Sequence, residues 1–213
     1  MVESRRDFLR RLGAGAAGIV LGGCATRQSP APKRQPNVVF ILIDDMGWSD
    51  LPCYGNRFHE TPVIDRMVKQ GMRFTDAYAA CPVCSPTRAS IMSGQYPARV
   101  GVTDFITGHW RPYEKLRVPT NRTQYLPLEI ITIAEVLRDT GYVTGHVGKW
   151  HLGGADHSPQ RQGFDFVRLG GQNQADKHVT TFTDSAVEFI EANADKPFFL
   201  HLSHHTVHIR LEA

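Results

Sequence analysis

Val38-Val39-Phe40-Ile41-Leu42-Ile43-Asp44-Asp45 is the stretch that decides the fold. An unbroken apolar, β-branched run predicts a strand buried on both faces, the pattern of a parallel sheet. The two carboxylates that follow sit at the strand's carboxyl end, where open α/β sheets collect ligands. Working outward, strand and helix signals alternate. Thr61-Pro62 starts a helix, with Thr61 as cap and Pro62 at the first helical position, and Gly71 closes it. Met72-Arg73-Phe74 reads as the next strand. Thr132 and Glu135 have capping-box spacing, and Gly141 ends that helix. Tyr142 to Val147 reads as a strand. A helix is expected from about Asp184 to Ala192 with Val187 and Ile190 on one face, and Phe198-Phe199-Leu200 begins another buried strand. Gly153 to Gln174 reads as a long, irregular, substrate-facing loop. Repeated β-α units of this kind predict an α/β fold, a mostly parallel central sheet with helices on both faces.

Composition narrows the function classes. With 41% hydrophobic and 21% charged residues the chain has a globular balance, which argues against disorder. Its 213 residues suffice for one domain with a sizeable core. The formal charge is +3, but Arg5, Arg6, Arg10 and Arg11 outweigh Glu3 and Asp7 near the start, leaving about +1 for the body. No basic cluster points to nucleic acid.

Residues 1–23 read as a signal peptide. Ser4-Arg5-Arg6-Asp7-Phe8-Leu9 is a twin-arginine pattern, and the Leu12–Gly22 run after it is too short to span a bilayer. Leu21-Gly22-Gly23-Cys24 resembles a lipobox, so the expectation is an exported bacterial protein, periplasmic or in the cell envelope. Its only membrane attachment would be a lipid on Cys24. An ordinary signal peptide with an incidental cysteine is the other reading. Residues 24–36, with Pro30, Pro32 and Pro36, read as a tether, and 37–213 as the folded body. Cys53, Cys81 and Cys84 leave an odd number in the body, which argues against a fully paired disulfide framework.

Several residue groups can carry chemistry. Asp44-Asp45 is either a solvated turn or a pair neutralised by a hard divalent cation, for which carboxylate oxygens suit calcium or magnesium better than zinc. Ser85 through Ser93 reads as a short helix that puts Cys84 at its positive end, a site for an anion. Arg88 lies one turn along. Lys149 and His151 follow a strand and share one side if the alternation continues, giving an anion and proton-transfer pair. His201, His204, His205 and His208 crowd the last strand, but their spacing fits no zinc motif.

Four separated motifs, in order, give the chain a family resemblance. Cys84-Ser85-Pro86-Thr87-Arg88 has the form C-x-P-x-R, and Asp44-Asp45-Met46-Gly47-Trp48 follows the first strand. Gly148-Lys149-Trp150-His151-Leu152-Gly153 and Val207-His208 complete the set. Together they resemble the type I, formylglycine-dependent sulfatases of the alkaline-phosphatase-like superfamily. The resemblance implies that a maturation enzyme oxidises Cys84 to Cα-formylglycine, whose hydrate attacks a sulfate ester. It implies that Asp44, Asp45 and residue 84 bind calcium, or alternatively magnesium. Arg88 would stabilise the diol, Lys149 and His208 would hold sulfate, and His151 would take a proton as sulfate leaves. Ile209-Arg210 stands where the family has Thr-Pro after the histidine, so His205 is the alternative to His208.

The implied substrate is a sulfated small molecule or polysaccharide, and the implied partners are the maturation enzyme and the twin-arginine machinery. Oxidation of Cys84 would precede folding and export. A phosphate or phosphonate monoester hydrolase of the same superfamily, and an inactive glycan-binding lipoprotein, are the other readings. Family members carry further metal ligands and a second lysine downstream. The expectation is therefore that residues 37–213 form the N-terminal part of a catalytic domain, with an exposed sheet edge and little or no activity alone.

Overall fold

The computed structural model describes residues 35–108, 115, 120–170 and 178–208. The twin-arginine run, Cys24, Ile209-Arg210 and the Gly171–Gln174 end of the expected loop lie outside them. Strand β1 is Val38–Ile43, followed by helices α1 (Pro62–Gln70), α2 (Cys84–Ser93) and the short α3 (Pro97–Val100). Helix α4 (Ile133–Asp139) leads into β2 (Val143–Gly148), and β3 (Phe166–Arg168), α5 (Val179–Ala192) and β4 (Phe198–His204) follow. The strands form one parallel sheet in the order β1-β4-β2-β3.

Period-2 alternation in β4 explains how both faces are covered. Phe198, Leu200 and Leu202 face one way, packing with Phe182, Ala186 and Phe189 of α5. Phe199 faces the other way and joins Ala89 and Met92 of α2, Ala134 of α4, Trp150 and Phe164. Burying a large apolar side chain stabilises by roughly 1.5–3 kcal/mol, so these two clusters dominate the fold.

Capping fixes α4. Thr132 Oγ1 accepts the Glu135 N–H at 3.2 Å, while Glu135 Oε2 accepts the Thr132 N–H at 2.8 Å. The fully buried Thr132 hydroxyl also donates to the Gln162 carbonyl at 2.7 Å, tying the helix start to the following loop.

Four expectations are corrected. The β1 run is not buried on both faces: it is the sheet's edge among the described residues, and Val39 and Ile41 remain 44% and 54% exposed. The expected open apolar edge is therefore present. Met72-Arg73-Phe74 forms no strand; that segment is irregular, and the Phe74 carbonyl accepts the Tyr54 hydroxyl instead. The expected loop from Gly153 contains β3, whose three residues pair with Gly145–Val147. Helix α5 starts earlier than Asp184, and its buried stripe is Phe182, Ser185, Ala186 and Phe189, while Val187 is 46% exposed.

Candidate active site

Sheet register builds the site. Ile43 pairs with His204, and Gly148 with Ser203, so β1, β4 and β2 end almost level. Asp44 and Lys149 are the first residues past their strands, and they meet at the sheet's carboxyl edge. Gly148 is required there. It has φ 105°, and a Cβ on it would lie 1.9 Å from the Ser203 carbonyl oxygen. That close approach lets the Lys149 N–H donate to the same carbonyl at 2.8 Å.

Asp44 is buried and flanked by two cations. Its Oδ1 lies 3.2 Å from Arg88 Nη2, and its Oδ2 accepts from the Lys149 ammonium. Burial by itself would raise the Asp44 pKa, but Arg88 and Lys149 outweigh it, and the carboxyl is held below its usual value. Asp44 is thus a permanent anion at neutral pH.

Arg88 is placed by acceptors from three elements. Its Nη1 donates to the Lys149 carbonyl at 2.8 Å and to Ser203 Oγ at 2.5 Å, while Nη2 pairs with Asp44. Both Arg88 and Ser203 are buried, so the guanidinium fork is preorganised rather than searching in solvent. Ser203 was missed at the sequence level. Its signal is a small polar residue at alternate spacing from Phe199 and His201, on the strand face opposite Leu200 and Leu202.

Cys84 is the first residue of α2, with Val83 extended ahead of it as the cap position. No side chain caps this end, so the first amides of α2 have no side-chain acceptor. Pro86 sits in the same first turn, where a missing N–H costs nothing. A cleft of ≈ 450 Å³ opens at this end, lined by Asp44, Asp45, Cys81, Cys84, Thr87 and Arg88. Cys53, Cys81 and Cys84 are all free thiols. Burial pushes the Cys81 thiol up, so it is the less reactive form at neutral pH.

Asp45 and His151 adopt left-handed backbones, φ 63° and 56°. Such non-glycine conformations concentrate at functional sites. They also mean that His151 does not continue the β2 alternation, correcting the expectation that it shares a strand side with Lys149. His151 Nε2 meets the Ile106 carbonyl instead. Burial lowers its pKa, with Lys149 and Arg88 acting the same way and the Ile106 carbonyl and Asp44 opposing, so the ring is neutral at pH 7.

The four C-terminal histidines separate. His208 Nε2 lies 3.6 Å from Asp45 Oδ2, at the site. His205 stacks on Phe182 of α5 with centroids 5.9 Å apart, which favours His208 over it. His204 is buried near the same phenylalanine. His201 is buried beside His146, Nδ1 to Nδ1 at 2.9 Å. No three His, Cys, Asp or Glu side chains among the described residues converge as a metal cluster. Asp44, Asp45, Cys84, Arg88, Lys149 and His208 are therefore brought to one edge, and His151 stands beside them on its own carbonyl.

Residues 36–213 match the family model described as Sulfatase, and the chain belongs to that family. It is 36% identical over 223 residues to an arylsulfatase of Hemicentrotus pulcherrimus, covering 85% of this chain and 39% of that one. Its fold superimposes on the crystal structure of Ps i-CgsB in complex with k-i-k-neocarrahexaose. There the TM-score is 0.65 and the identity 30%, covering 84% of this chain and 47% of that one. It also matches BT4656 in complex with its substrate D-glucosamine-2-N,6-O-disulfate. There the TM-score is 0.64 and the identity 26%, covering 83% of this chain and 35% of that one. The chain thus spans less than half the length of these relatives.

Proposed function

We propose that the protein containing this chain hydrolyses sulfate esters, with residue 84 as nucleophile in its formylglycine form. The observation that carries this reading is the cleft at the start of α2, which Cys84, Asp44 and Arg88 line together, with Lys149 bound to Asp44 behind them. Formylglycine at 84 would supply a geminal diol, one hydroxyl to attack sulfur and the other to drive sulfate out without external water. Arg88, fixed by Ser203 and the Lys149 carbonyl, is placed to stabilise negative charge on that group. Lys149 provides positive charge and His208 a ring nitrogen for sulfate oxygens, with Asp44 beside the first and Asp45 beside the second. Neutral His151 is available to accept a proton.

The donor chemistry fits a hard divalent cation, calcium or alternatively magnesium. Two carboxylates and residue 84 border one cleft, and Asp45 keeps an exposed carboxylate. Calcium takes six to eight oxygens, so these residues would be part of its shell. Such an ion would lower the energy of the anionic nucleophile and of sulfate charge. The substrate class we infer is a sulfated saccharide, supported by the saccharide named with each of the two structural relatives. Export through the leader, with a lipid on Cys24 and oxidation of Cys84 beforehand, belongs to the same proposal.

Aryl sulfate and aryl phosphate, offered to the formylglycine-containing protein, separate this reading from a phosphate or phosphonate monoesterase. Faster sulfate release is expected. Faster phosphate release would overturn the assignment of substrate class. Glycan binding with no turnover, unchanged in Cys84→Ala, would instead favour an inactive binding protein.

A further inference from the structure

Ser85 and Ile106 have no role in the chemistry above, yet they join two residues that do. Ser85 follows Cys84 directly and is completely buried, and its hydroxyl oxygen accepts the Ile106 N–H at 3.1 Å. The Ile106 carbonyl in turn faces His151 Nε2 at 2.5 Å. A carbonyl oxygen only accepts, so Nε2 must carry the hydrogen in that contact. The other ring nitrogen, Nδ1, is buried and has no hydrogen-bond partner among the described residues. Buried polar atoms without partners are uncommon and call for an explanation, catalysis among them. In a neutral ring whose Nε2 is protonated, Nδ1 holds the lone pair.

We propose that Ser85 and Ile106 form a positioning clamp that holds His151 as its Nε2–H tautomer, making Nδ1 the atom that takes up a proton. The inference rests on the sulfatase reading for what the proton is, but not for where it goes. Uptake adds one hydrogen and one positive charge to the imidazole, and Nε2 keeps its bond to Ile106 throughout. A single turn of α2 then does two things. It presents residue 84 to the cleft, and through Ser85 it sets which nitrogen of the base is free. The second position of the Cys84–Arg88 motif acquires a role that its spacing alone does not show.

Imidazole nitrogen NMR on the folded, isotope-labelled chain at neutral pH reads the tautomer directly, with the His151 signals assigned by their loss in His151→Gln. The expected spectrum has an unprotonated Nδ1 and a protonated Nε2. Ser85→Ala should give a mixture of tautomers, and Ser85→Thr, which keeps a hydroxyl, should restore the single form. A wild-type ring carrying its hydrogen on Nδ1 would overturn the proposal, even if Ser85→Ala failed to fold. An unchanged tautomer in a folded Ser85→Ala would overturn the part played by Ser85.

On the active protein, normalised to formylglycine content by mass spectrometry, Ser85→Ala should lower kcat about tenfold with KM within about twofold, and Ser85→Thr should recover it. An equal loss in Ser85→Thr would count against the clamp. Absence of sulfate release from the wild type would sink the proposed function and leave the nitrogen spectrum to decide the clamp separately.

Discussion

Asp44 holds two buried or nearly buried cations in place, and removing its charge strands both. Breaking a buried ion pair by removing one partner costs about 3–5 kcal/mol, so Asp44→Asn should destabilise by about 3 kcal/mol in denaturant unfolding. An unchanged midpoint and slope would mean that solvent already neutralises these charges. His201 gives a second test at this scale. Burial, with Arg88 adding to it, lowers its pKa to about 3, and its neighbours are His146 on β2, Phe40 on β1 and the aromatic Phe164. The unfolded ring binds a proton near its ordinary value while the folded ring does not. Stability is therefore full above about pH 6.5 and falls as pH drops toward 3. At about 1.4 kcal/mol per unit, His201 alone should remove about 2 kcal/mol between pH 7 and pH 5. His146, His151 and His204 are lowered in the same direction, so unfolding free energies at those two pH values should fall by at least that much, and a gain on acidification would refute it. Charged residues were legible in the sequence because motifs carry their types. The neutral ones that aim them, buried Ser203 and partly buried Ile106, were not, since their roles arise from strand register and loop return.

Local rules worked best where one short segment carries all the necessary partners. The box between Thr132 and Glu135 is such a case, and it was readable because both halves lie within a single turn. Thr132→Ala removes the cap and also the buried bond to the Gln162 carbonyl, so a loss of about 2 kcal/mol is expected. Thermal unfolding of this variant beside Thr132→Ser would show it, because serine keeps both bonds. Equal destabilisation by serine and alanine would mean that the lost methyl, not the cap, matters. Helix α2 was legible for the same reason, its start set by Val83 and its end by left-handed Gly94. Failures came where tertiary partners decide. Three-residue β3 exists because it pairs with β2, whereas Met72-Arg73-Phe74 pairs with no strand and its Phe74 carbonyl goes to the Tyr54 hydroxyl. The α5 stripe was misplaced by the choice of Val187, whereas Phe182 and Phe189 are the side chains that fill the space under β4.

At the scale of the whole molecule, the parallel sheet does one thing for function: it brings three strand ends level, so that Asp44, Arg88 and Lys149 meet and His208 reaches Asp45 next to them. The sequence spacing between them is irrelevant once that register is set, which is why motifs scattered along the chain read as one site. The fold class was legible because apolar runs and caps alternate along the body. The burial of β1 was not, because an apolar run looks the same whether one or two strands flank it. The central claim is that residue 84 does the chemistry on a sulfate ester, and one comparison tests it most directly. Sulfate release from an aryl sulfate is measured for the protein whose residue-84 peptide shows the aldehyde mass, and for Cys84→Ala. Release by the first and none above background by the second is expected. Equal release by both would contradict it.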